Sequence, residues 1–199
     1  MTKRLLVIVA ASLAVAAPAT AGPPAFDKAE GAGSYLRAGC TIGVPEGRGP
    51  YCFATDPLVT RTFSFSAIQY GFGERANGTY TQDANGGTTH FVGRVTCLNV
   101  LANTAVFGGV VTESSVAPYE GLPFVVWVVD NGSATDGGPP DLISPVAIFP
   151  QGDEDLPLLP AAFPNICPQP FPSLFGYFPL ESGNIVVEDE SPPGTSLTR

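Results

Sequence analysis

Basic residues are scarce in this chain of 199 residues: nine Lys and Arg stand against 18 Asp and Glu, a formal net charge of −9. No Lys/Arg cluster occurs anywhere, and a nucleic-acid or anionic-lipid partner would need one, so nucleic acid is excluded as a ligand. Histidine occurs once, at His90, and there is no Cys-x-x-Cys, which removes the usual zinc ligand sets. Gly-x-Ser-x-Gly is also missing, and with it the nucleophile elbow of a serine hydrolase. His90 follows Thr88 and Thr89 at the start of a strand pattern and reads as a half-exposed strand residue. No stretch has the apolar spacing of an amphipathic helix, because Gly, Pro or β-branched runs interrupt every candidate. These gaps together point to a protein that is not an enzyme.

Glycine and proline are abundant, 23 and 21 residues, and 13 Phe accompany them. That mixture describes one compact domain with long irregular connections. The N-terminus "MTKRLLVIVAASLAVAAPATAG" has a basic pair (Lys3, Arg4), an apolar run from Leu5 to Ala17 and a small-x-small site at Ala19-Thr20-Ala21. This is the pattern of a signal peptide over residues 1–21, cleaved before Gly22, and it predicts a secreted, extracellular protein. Its loss leaves seven basic residues against 18 acidic ones, net −11. No later segment is long and apolar enough to span a membrane.

The four cysteines, Cys40, Cys52, Cys97 and Cys167, all lie beyond the signal. An even number in an exported chain predicts two disulfides. Of the three pairings, Cys40–Cys52 with Cys97–Cys167 is favoured; loop entropy assigns them about 3 and about 4 kcal/mol. A thiolate nucleophile is disfavoured by the same reasoning.

Residues 22–59 are small and rich in Gly and Pro, and read as an irregular segment with one short strand near Cys52 to Ala54. From Thr60 the period is two. "RTFSFSAIQYGF" sets Phe63, Phe65 and Ala67 against Thr62, Ser64 and Ser66, the pattern of a strand with one buried face. "NGTYTQDANGG" is a short strand between Asn-Gly turns, and "THFVGRVTCLNVLANTAVFGGVVTES" a hairpin turning at Ala102-Asn103. In it Phe91, Gly93, Val95 and Cys97 are expected on one face and Val92, Arg94, Thr96 and Leu98 on the other. Gly108-Gly109 suggests a bulge or bend. "LPFVVWVVD" is apolar throughout, a strand covered on both faces or lidded by a loop. "DLISPVAIF" and "GNIVVED" add two more.

The expectation is an all-β antiparallel barrel or sandwich of about 6–8 strands over residues 60–190, with a C-terminal tail at 191–199. A Pro-rich loop at 150–182 is expected to pack its aromatics over a sheet face, pinned by Cys167, with a lid over a binding pocket as the alternative.

Five pieces carry a resemblance: "FSFSAIQYG", "NGTYTQD", "GRVTCLNVLANTAVFGG", "VVWVVDNGSATDGGPPDLIS" and "SGNIVVED". In order and spacing they resemble the post-COAP-1 type of β domain of secreted bacterial, especially actinobacterial, proteins. The hairpin turn is Ala-Asn where that family favours Gly-Asn. The resemblance implies a secreted all-β module and supplies no catalytic residue for this chain.

Asp130, Asn131, Asp136 and Asp141 bring hard oxygens into one Gly-rich loop, the residue types a calcium ion takes, although EF-hand spacing is absent. The same residues suit turns, because Asp, Asn and Gly tolerate positive φ and cap their own backbone. The acidic runs Asp153-Glu154-Asp155 and Glu188-Asp189-Glu190 read as solvated surface. A barrel mouth lined by Phe124, Trp127, Phe163, Phe171, Phe175 and Tyr177 would take a small apolar ligand. The leading expectation is a secreted, non-catalytic β module with a structural or interaction role, its partner a protein or the cell envelope, with no cofactor. An apolar-ligand carrier and a calcium-dependent adhesion module are the alternatives.

Overall fold

The computed structural model describes residues 26–38, 58–71, 75–84, 89–115, 119–132, 137–149, 163–170 and 176–189. The signal sequence, Cys40, Cys52, the strand expected near residue 53, Asp136 and the tail lie outside them.

Among the described residues nine antiparallel strands follow one another: β1 (Phe26–Ala38), β2 (Leu58–Tyr70), β3 (Asn77–Ala84), β4 (Thr89–Leu101), β5 (Thr104–Ser114), β6 (Pro123–Val129), β7 (Leu142–Ile143), β8 (Ala147–Ile148) and β9 (Phe178–Asp189). Their order is β5-β4-β3-β2-β1-β9-β7-β6, and β5 pairs back onto β6, closing an eight-stranded barrel with β8 as an extra strand on β6. Among the described residues no helix is long and apolar enough to cross a membrane. The chain is all-β as expected, and of barrel and sandwich it forms the barrel.

Period-two alternation decides what points inward. On β2 Phe63, Phe65 and Ala67 are buried while Thr62 and Ser64 face out; on β3 Tyr80, Gln82 and Ala84 are buried. Aromatic rings fill the interior: Phe65 stacks on Phe107 at 4.6 Å, and Tyr80, Phe91 and Phe124 meet pairwise at 5.4–5.7 Å. Such pairs add about 0.5–1.5 kcal/mol each beyond area burial.

Two expectations need correction. Residues 22–59 are not wholly irregular, since β1 is a 13-residue strand pairing with β2 along its whole length and with β9 from Asp27 to Tyr35. "FDKAEGAGSYLRA" hides it, because Gly and Ala occupy places where a bulkier strand would show its period. Gly33 is required there: a Cβ would come within 2.2 Å of the Ser182 carbonyl oxygen. The second correction concerns β4. The register steps by one between Val95 and Cys97, opposite Gly109 and Gly108. Thr96 is the extra residue of a bulge, so Val95 and Leu98 face the interior and Cys97 faces out. The Gly-Gly pair did mark the place, for a Cβ on Gly109 would lie 1.9 Å from the Arg94 carbonyl oxygen.

β6 is buried on both faces, as expected. Phe124, Val126 and Val128 join the interior; Val125 and Trp127 join a second apolar cluster with Val106, Phe149, Cys97 and Cys167. Residues 163–170 cover that outer cluster, held by the Cys97–Cys167 disulfide and by hydrogen bonds from Thr96 Oγ1 and Asn99 Nδ2 to the Pro164 and Pro168 carbonyls. This part of the Pro-rich loop packs over the sheet and is pinned by Cys167, while the stretch ends earlier than expected because β9 begins at Phe178.

Candidate functional site

Asp130, Asn131 and Asp141 flank a place where the barrel wall is thin. β7 contributes only Leu142 and Ile143, which pair with Val129 and Val128 on one side and with Pro179 and Phe178 on the other. The strand ends at Ile143, and Pro145 has no N–H with which to continue a ladder. Ser144 bridges the break, donating from its N–H to the Trp127 carbonyl and accepting the Trp127 N–H on Oγ. Beyond Leu180, β9 has no strand beside it on this edge among the described residues.

Two carboxylates stand in for the missing strand. Asp141 is buried, 5% exposed. Its Oδ1 accepts the Asn131 N–H at 2.8 Å and its Oδ2 the Ile185 N–H at 2.7 Å, while its own carbonyl accepts from Leu180. Asp130 does the same one step along: Oδ2 accepts the Val187 N–H at 3.0 Å, and Oδ1 accepts the Gly132 N–H at 2.8 Å. The latter is an Asx turn, with Gly132 at φ 87°. Asn103 fixes Asp130 from the β4–β5 hairpin through a reciprocal pair of hydrogen bonds, and Asn131 Nδ2 donates to the Pro140 carbonyl. Backbone N–H groups lining a seam must be satisfied, and ionised carboxylates satisfy them strongly.

Asp130, Asn131 and Asp141 are therefore brought together, but all four carboxylate oxygens face backbone N–H donors and Asn131 spends its amide on a carbonyl. Each carboxylate oxygen is thus already engaged by one backbone N–H, and a cation here would share these oxygens with the barrel wall. Among the described residues no group of three or more His, Cys, Asp or Glu is placed to hold a metal ion. The apolar set is split by the wall. Phe124 lies inside, Trp127, Phe163 and Tyr177 belong to the outer cluster, and Phe171 and Phe175 lie outside the described residues.

Sequence reading missed a polar group in the interior. Tyr35 and Tyr80 both donate to Gln82 Oε1, at 3.0 and 2.8 Å, and all three are buried. Burial raises both phenol pKa values, that of Tyr80 well above its ordinary range. Arg61 is the cross-strand partner of Tyr35. Arg37 lies over the Phe178 ring, and burial first, then the charge of Arg61, lower its pKa. The inward alternation Tyr80, Gln82, Ala84 was the available signal.

His90 lies on the outer face opposite its register partner Asp83, whose Oδ1 is 2.7 Å from Nδ1; Glu113 is 3.9 Å from Nε2. The hydrogen bond to Asp83 raises the imidazole pKa, with slight desolvation opposing and the charges of Asp83 and Glu113 adding. Ser115 bonds the His90 backbone. Of the acidic runs, Glu188 sits 4.0 Å from Lys28, and residues 153–155 fall outside the described residues.

No family model, curated protein or solved structure matches the chain, so its resemblance to post-COAP-1-type domains rests on the five sequence pieces alone.

Proposed function

We propose that this is a secreted, non-catalytic β-barrel module, acting in a structural or binding role outside the cell. The seam carries the reading: the most function-like loop in the sequence spends Asp130 and Asp141 on closing the barrel. Three further features support it. The Cys97–Cys167 disulfide suits an oxidising compartment. The interior is occupied by the protein's own rings, as in a barrel that is a packed body and not a container. His90, the one imidazole, pairs with carboxylates on the outer face.

Native mass spectrometry of the protein recovered from culture medium tests the proposal. The expected species is the chain from Gly22, lighter by four hydrogens for two disulfides and free of adducts. A co-purified organic mass would favour the apolar carrier, and calcium retained in stoichiometric amount would favour the adhesion module. Full-length protein confined to the cytoplasm would refute secretion.

A further inference from the structure

The apolar residues form two separate bodies. One fills the barrel; the other lies outside the wall of β4, β5, β6 and β8 and is completed by residues 163–170. No pairing that closes the barrel uses a residue of this strap. Its fit to the wall is close nonetheless. Phe163 lies so tightly on β5 that a Cβ at Gly108 would come within 2.7 Å of its ring, and Phe149 meets it edge-on at 6.1 Å. Apart from this packing, the strap's fastenings among the described residues are the two side-chain hydrogen bonds from β4 and the disulfide. The disulfide closes a span of 70 residues and is the strongest of these restraints.

We propose that residues 163–170 are a redox-latched strap, released by a dithiol reductant to uncover Trp127 while the barrel stays closed. A thiolate of the reductant attacks one sulfur of Cys97–Cys167 and expels the other as a thiolate, which takes up a proton. The second thiol of the reductant then displaces the mixed disulfide. The products are two protein thiols and one oxidised, cyclic disulfide, so electrons and protons balance. Cys97 and Cys167 are 2% and 6% exposed, so attack follows a transient lifting of the strap. The released strap remains joined to β8 and β9 through the chain, and re-closure is intramolecular.

Trp127 is the single tryptophan and reports directly. The full chain is treated with excess dithiothreitol while emission, acrylamide quenching and far-ultraviolet circular dichroism are followed. A Cys97→Ala/Cys167→Ala variant, which leaves Cys40 and Cys52 in place, is measured alongside. The expected result in both is a shift of Trp127 emission to longer wavelength and a gain in quenching, with the β signal unchanged. Reoxidation should reverse the shift in the unaltered chain. Loss of the β signal together with the shift, or a double variant that does not fold, would show strap and barrel to be one unit and overturn the proposal. Unchanged emission in the double variant, or in the unaltered chain once its mass shows the bond reduced, would overturn it equally.

Discussion

At Ala102 the chain places a side chain where the backbone has φ 54°, in the two-residue turn between Leu101 and Thr104. Left-handed backbone costs an L-residue about 1–2 kcal/mol that glycine is spared. Ala102→Gly is therefore expected to stabilise the protein by roughly 1 kcal/mol in denaturant unfolding, less what the unfolded chain gains in freedom. Asp141 lies at the opposite extreme, with one buried carboxylate holding N–H groups from two segments. Asp141→Ala would leave Asn131 and Ile185 without acceptors, and the expected loss is about 2–6 kcal/mol, from 1–3 kcal/mol for each orphaned group. His90 is a smaller matter because it is only half-buried, on the outer face. Its titration, read by NMR, should have a midpoint above the ordinary 6.5 and fall towards that value in Asp83→Asn. The sign follows: its stabilising contribution is complete below pH 6.5 and is lost as pH rises through the raised folded value.

The scale of elements explains what could be read in advance. β2, β3 and β6 were legible because each carries its burial pattern in adjacent letters. Phe63 and Phe65 alternate with Thr62 and Ser64, and β6 is apolar at every place. β1 was not legible, because its face is built from Ala29, Gly31 and Gly33, which show no period. The bulge at Thr96 reverses the facing of every residue after it, and only pairing with β5 reveals it. The seam was half legible. Asp-Asn-Gly announced a turn, but the partners that make Asp130 and Asp141 structural, Val187 and Ile185, lie 57 and 44 residues away. Gly93 gives a test of element packing. A Cβ there would meet the Phe124 ring at 2.3 Å, so Gly93→Ala should destabilise by about 1–3 kcal/mol through overpacking.

For the whole molecule, closure depends on the two ends of the barrel domain. β1 pairs with β9 from Asp27 opposite Asp189 to Tyr35 opposite Leu180, so the barrel cannot close until nearly all the chain is present. A chain starting at residue 39 is expected to lose cooperative thermal unfolding, even though the removed stretch resembles a linker. The same view of closure bears on calcium. If the seam carboxylates are occupied by backbone N–H groups, the melting midpoint should be the same in millimolar calcium and in chelator, and a rise with calcium would speak for an ion at the seam. The most direct measurement is amide hydrogen exchange at Ile185 and Asn131, in the unaltered chain and in Asp141→Ala. Slow exchange at both, like that of ladder amides, with protection lost first at these two positions in the variant, is the predicted result. Exchange at loop rates in the unaltered chain would contradict closure of the barrel by carboxylates.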